Sequence, residues 1–290
     1  MAELTETLQT FPILFIALCG ITGLLAGSFL NVVIHRLPKM LEQEWLVQHH
    51  VYSGKKTDYL SPYNLLVPPS SCPHCNHRIR ALENIPVISY LFLRGKCKHC
   101  GTPISTRYPA VEMLSGLLCT YAAWHFDVSL ATLGAMIFIW MLLVLSCIDL
   151  NTQMLPDEIT LPLLWLGLLF NLFGTFIDLS SAVIGAITGY LILWGIYWLF
   201  RLVSGKEGLG YGDFKFLAAL GAWLGWQSIP VIILLASITG IISSIALITT
   251  ARLSRNDPIP FGPFLALSGL IALFCGQTLT PAYMKLLLTP

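Results

Sequence analysis

The strongest constraint on this chain is a succession of apolar runs long enough to cross about 30 Å of hydrocarbon. Eight are read, at roughly Phe11–Ile34, Pro109–Phe126, Leu130–Ile148, Ile159–Ile177, Ala182–Phe200, Phe214–Trp226, Ile229–Thr250 and Pro260–Gly276. The sixth is short, about 13 residues, leaving it open between a tilted crossing, a re-entrant segment and close pairing with the seventh. Of 290 residues, 56% are apolar and only 11% charged, where a soluble domain carries about a quarter charged. The expected class is an all-α polytopic membrane protein of about eight spans. A net charge of +1 gives no sign of nucleic-acid binding. The start, MAELTETLQT, lacks a basic n-region, so the first run is expected to be a permanent span rather than a cleaved signal.

Charge placement orients the bundle. Ten Lys and Arg, from Arg36 to Arg107, lie between the first two runs. Arg201, Lys206 and Lys215 flank the fifth-to-sixth connection, and Arg252 and Arg255 follow the seventh. Alternating spans put 15 of the 16 basic residues on one side, with only Lys285 opposite. By the positive-inside rule that side is the cytoplasm, and both termini are outside. The expected parts are residues 1–34 (external N-terminus and first span), a cytoplasmic loop over 35–108 and a seven-helix membrane domain over 109–290. The pairs Gly23–Gly27, Gly185–Gly189 and Gly221–Gly225 have the spacing that lets helix backbones approach closely in lipid.

Four of the eight cysteines, Cys19, Cys119, Cys147 and Cys275, lie in apolar runs and read as small core residues. The others form two matching phrases, Cys72-Pro-His-Cys75 and Cys97-Lys-His-Cys100, 21 residues apart. That pattern suits a closed tetrahedral Zn2+ site with a structural role. Two disulfides are the rival, disfavoured by a reducing cytoplasm. The intervening ALENIPVISYLFLRGK is unusually apolar for a loop. Packing against the cysteine ribbon and lying in the membrane interface are both open to it.

Acidic residues at membrane depth are costly, so they are the functional candidates. Asp127 and Asp178 fall in external turns. Glu112 is read as stabilising the start of the second span through the helix dipole, and Asp157 as capping the fourth. Asp149, ending the third span in SCIDLNTQMLPD, and Asp213, opening the sixth in GLGYGDFK, remain. Both are expected at the cytoplasmic edge of the bilayer, with Lys215 pointing away from Asp213. Two carboxylates brought close at a low-dielectric edge cannot both ionise readily, and such a pair can act as base and acid in peptide hydrolysis. Two unrelated helix-end acids are the other reading. Gly208, Gly210 and Gly212 lack the strand and the G-x-x-x-x-G-K-[ST] pattern of a phosphate loop; their value is close backbone approach.

The phrases GSFLNVVIHRLP, the double CxxC, CIDLNTQMLPD, GLGYGDFK and IPFGPFLA, in that order, resemble the type IV prepilin peptidases, a bifunctional leader peptidase and N-methyltransferase family with a G-x-G-D aspartic site. The resemblance implies that Asp149 and Asp213 are the catalytic pair. It also implies that the substrates are prepilins and type II secretion pseudopilins within the bacterial inner membrane, cleaved after a basic leader. The new N-terminus is then methylated with S-adenosylmethionine. The complete tetrad Cys72, Cys75, Cys97 and Cys100 marks the longer, bifunctional members. No Rossmann fingerprint locates the methyl donor; Arg94-Gly95-Lys96 is a place to look. A proton-coupled transporter and a zinc-ribbon scaffold are the rival classes.

Overall fold

The computed structural model describes residues 8–52, 63–205, 208, 210–250 and 259–288. Lys55, Lys56, Lys206, Arg252 and Arg255 of the basic loops lie outside the described residues. In order, the helices are α1 (Pro12–Tyr52), α2 (Ile88–Phe92), α3 (Arg107–Phe126), α4 (Leu130–Thr152), α5 (Asp157–Leu172), α6 (Leu179–Ser204), α7 (Tyr211–Leu224), α8 (Ile229–Thr249) and α9 (Gly262–Leu288). Among the described residues there is no β-sheet, only two isolated bridges. A helix occupies most of each of the eight apolar runs. Among the described residues four segments, Pro12–His49, Leu130–Thr152, Leu179–Ser204 and Trp226–Thr249, are long and apolar enough to cross a membrane. This is a membrane protein. α5 and α7, of 16 and 14 residues, rise only about 24 and 21 Å.

The chain forms two compact units, Met1–Thr132 and Leu133–Pro290. In the first, α1 and α3 run antiparallel along a seam of small residues. A Cβ on Gly23 would lie 2.8 Å from Cys119 Cβ, and one on Gly27 2.8 Å from Glu112 Cα. Hydrogen bonds close the seam: Ser115 Oγ donates to Gly23 O at 2.6 Å and Asn31 Nδ2 to Tyr108 O at 3.1 Å. α1 does not stop near Ile34. It continues through Pro38 to Tyr52, because the polar stretch that follows is rich in Leu, Glu and Gln, all good helix formers. Buried Arg36 donates to Asn64 O at 3.0 Å, tying the returning chain to the helix.

In the second unit the short sixth run turns out to be the centre. From Asp213 to Leu224 every residue of α7 except Lys215 is buried. A helix apolar all round belongs inside other helices, and α7 packs chiefly on α6 and α5. Its small face permits backbone contact: a Cβ on Gly185 would lie 2.3 Å from Gly221 O, and one on Gly189 2.7 Å from Leu217 O. Trp223, fully buried among Phe138, Phe170 and Phe176, donates Nε1 to Leu163 O at 2.7 Å and occupies the space left by Gly167. α5 ends at Leu172, short of the expected Ile177, where the Asn171 side chain takes up the main chain that follows the helix. Its amide donates to Ala222 O and Trp223 O, and its carbonyl accepts from Phe176 N and Ile177 N. Gly225 (φ +81°) stops α7 in a conformation other residues rarely adopt. Asp178 caps α6; the Ser180 hydroxyl and the Ser181 N–H hold its carboxyl down at about 2.

Because the Gly185–Gly221 contact is backbone on backbone, no flexible side chain can yield to an added group. Gly221→Val is expected to destabilise the purified protein by at least about 3 kcal/mol, read as lost thermal stability in detergent. Gly195→Ala, with nothing within 4 Å of the new Cβ, is the neutral control.

Candidate functional site

Asp149 lies near the end of α4 and Asp213 in the first turn of α7; they are 5% and 8% exposed. Each carboxylate is held by a backbone amide at a helix start. Asp149 Oδ2 accepts from Gly262 N at 2.9 Å, the first residue of α9. Asp213 Oδ2 reaches back to Gly210 N at 3.2 Å, ahead of its own helix. Such amides have no partner within the helix and carry the positive end of its dipole, so they suit a carboxylate. Neither acid forms an ion pair among the described residues. The backbone that holds each of them meets at Leu155, which packs on Gly212, the neighbour of Asp213, and on Gly262, the partner of Asp149. Thus the structure brings together the two acids singled out in the sequence, in a buried setting with no compensating cation.

The segment joining α4 to α5 fixes this arrangement. Leu155 packs against both glycines next to the acids: a Cβ on Gly212 would lie 2.7 Å from Leu155 Cβ, and one on Gly262 3.2 Å from Leu155 Cδ2. The three glycines of the loop therefore have separate tasks. Gly210 donates its N–H, Gly212 leaves room for Leu155, and Gly208 sits against the Phe200 ring. Tyr190, Tyr197 and Tyr211 surround Phe214 and anchor the residue after Asp213. Gly262 and Leu155 were not legible as site residues, since their roles depend on contacts 113 and 57 positions away in the chain.

Two sequence expectations for charged groups are corrected here. Asp157 does not cap α5; Pro156 holds that position, and Asp157 instead accepts both contacts of Lys215 Nζ, at 2.8 and 2.7 Å. Lys215 does point away from Asp213, and the ion pair explains where it goes. The pair is partly exposed and so contributes only about 0–1 kcal/mol; its effect is to join the start of α5 to α7. Glu112 does not serve the N-terminus of α3. Its carboxylate accepts from Val87 N at 2.8 Å.

In the first unit the four cysteines of the double motif converge, with all Sγ atoms within 4.8 Å of one another. The two phrases fold alike. Cys72 N donates to His77 O and Cys97 N to Thr102 O, at 2.9 and 2.8 Å. The residue after each second cysteine, Asn76 or Gly101, has positive φ (55° and 72°). Glu83 joins the halves, reaching Lys98 Nζ and His77 Nε2 at 3.4 Å each. The Cys75 and His74 N–H groups draw the Cys72 thiol down, and Thr102 draws Cys100 down to about 6. Cys75, although the His77 N–H acts to lower it, is pushed up to about 12 by partial burial and the other thiols. Four thiols this close cannot all ionise by themselves; a bound dication removes the conflict. None of the four is joined in a disulfide. The apolar segment between the phrases meets them through Glu83, while its Leu91 and Phe92 are 68% and 86% exposed.

Two family models match the chain: a bacterial peptidase A24 N-terminal domain over residues 21–126 and the type IV leader peptidase family over residues 136–245. A protein of Aeromonas hydrophila named prepilin leader peptidase/N-methyltransferase is 52% identical, over 98% of this chain and 99% of its own. The chain belongs to the type IV leader peptidase family. Relatives with the same name from Stutzerimonas stutzeri and Pseudomonas aeruginosa are 50% and 48% identical, each over 97% of this chain and 97% and 98% of their own. No solved structure matches at a comparable level of significance. The leader peptidase match covers the part of the second unit that carries Asp149 and Asp213; the N-terminal match covers the cysteine cluster.

A methyl group on Gly262 would come within 2.6 Å of Asp149 Oδ2 and push that carboxylate aside. Displacements on the scale of 1 Å cost about 100-fold in rate. Gly262→Ala is therefore expected to lower peptidase turnover by about that factor while the melting temperature in detergent stays close to that of the parent.

Proposed function

We propose that this protein removes the basic leader from type IV prepilins and type II secretion pseudopilins through the pair Asp149 and Asp213, and then methylates the new N-terminal amine with S-adenosylmethionine. The observation that carries the peptidase reading is the pair itself: two buried carboxylates, each on a helix-start amide and each beside a glycine that packs on Leu155, with no ion pair to either among the described residues. In this reading one carboxylate accepts a proton from water as the water oxygen attacks the scissile carbonyl carbon. The other, protonated, donates a hydrogen bond to the carbonyl oxygen and so favours the tetrahedral intermediate. Collapse breaks the C–N bond, and the proton taken from water passes to the leaving amine. The site belongs at the cytoplasmic face of the inner membrane. Support comes from 15 of 16 basic residues falling on one side and from the substrate, whose basic leader stays cytoplasmic by the same rule.

Cys72, Cys75, Cys97 and Cys100 are assigned to a structural Zn2+. Four thiolates complete a tetrahedral shell and leave no position for a reacting water, so the ion organises the loop.

Asp149→Asn and Asp213→Asn are each expected to reduce leader removal by at least about 100-fold, measured by mass spectrometry of a co-expressed prepilin. Normal processing by either variant defeats the assignment. Protein purified without chelator should contain about one zinc per chain, lost in Cys72→Ser/Cys100→Ser and released on acidification, because protons compete for the thiolates. A chain devoid of metal at neutral pH would count against the zinc site.

A further inference from the structure

Among the described residues of the first unit, Glu112 is the buried acid, and the peptidase chemistry makes no use of it. Its Oε2 accepts from Val87 N at 2.8 Å, and its backbone packs on α1 at Gly27, next to Ser28, where a Cβ would lie 2.8 Å from Glu112 Cα. Ser28 Oγ in turn accepts from Asn84 Nδ2 at 3.3 Å. One residue on α3 thus meets α1 and holds the segment between the cysteine pairs. No lysine, arginine or histidine pairs with it among the described residues.

The residue it holds is in an unusual state. Val87 has φ +61° and ψ −46°, a conformation that is a true outlier for a β-branched side chain. Such strain survives only where surrounding contacts over-determine it, and it concentrates at functional sites. For stability alone, a glycine at 87 and an apolar residue at 112 would be the less costly solution. From Val87 the constraint passes along the chain. Leu91 N donates to Val87 O at 3.1 Å through α2, Gly95 N to Tyr90 O at 2.9 Å, and Ile104 N to Gly95 O at 2.7 Å, which reaches the second cysteine phrase.

We propose that Glu112 is a positioning residue for the methyl-transfer activity, latching the strained Val87 turn and so setting the shape of the segment Asn84–Gly95. The inference rests on the bifunctional reading above. It leaves the peptidase step aside because Glu112 bonds to Val87 and packs on α1, whereas Asp149 and Asp213 are held by Gly262, Gly210 and Leu155 of the second unit.

The test uses the full chain in detergent, with a prepilin and S-adenosylmethionine; mass spectrometry reads leader loss and methyl gain on the same molecules. Glu112→Ala is expected to slow methylation by roughly tenfold or more while cleavage stays within about twofold of the parent. Glu112→Gln, which keeps an oxygen acceptor for Val87 N–H, should retain most of the methylation. The discriminating variant is Glu112→Ala/Val87→Gly: glycine adopts positive φ without the latch, so methylation should recover. Parent-level methylation by Glu112→Ala, equal loss of both activities, or failure of Val87→Gly to restore methylation overturns the proposal. A parent chain that cleaves but never methylates overturns the bifunctional reading instead.

Discussion

The second unit depends on backbone-to-backbone contact at Gly185 and Gly221. Without it α6 could not close on α7, and α7 could not be buried along nearly its whole length. That burial sets the depth of Asp213, because the helix begins two residues earlier and has no slack beyond its 14 residues. In lipid there is no hydrophobic force to draw helices together, so close fit and hydrogen bonds must hold them. The bonds from Trp223 and Asn171 to main-chain carbonyls serve that purpose on the other side of the same helix.

Around this fixed helix the proposed peptidase site is assembled from three chain segments that meet at Leu155. Among the described residues the buried acids have no counter-cation, an arrangement that costs stability and that a purely structural protein has no reason to keep. Backbone amides offset part of the cost while leaving proton chemistry possible. A lysine beside either acid would hold it ionised and forfeit the shared proton the mechanism needs. Lys215, the nearest lysine along the chain, is instead engaged by Asp157.

The first unit is organised by different means. Its antiparallel helix pair is joined by small residues and by Ser115 and Asn31, and its loop by the convergent thiols and Glu83. Glu112 links these two parts. The two units coincide closely with two separate family matches, which fits a chain in which two activities draw on different sets of residues.

Much was legible from sequence because it obeys local rules. Run length and hydropathy located the helices, the repeated CxxC phrase located the cysteine cluster, and the cost of acids at membrane depth singled out Asp149 and Asp213. Other roles were decided by tertiary structure. Periodicity could not say that the shortest run lies at the centre, since burial depends on which neighbours surround a helix. The polar tail of α1 read as loop because hydropathy marks where lipid ends, not where a helix ends. Asp157 and Glu112 were assigned to helix starts from their nearest neighbours in sequence, yet their partners, Lys215 and Val87, lie 58 and 25 residues away. Gly262 and Leu155 stand in IPFGPFLA and CIDLNTQMLPD, phrases of the family resemblance, yet nothing local to either told its contact near the acids. A hydrogen bond or a steric gap between distant segments exists only once the chain has folded, and those contacts decide how the two carboxylates are held.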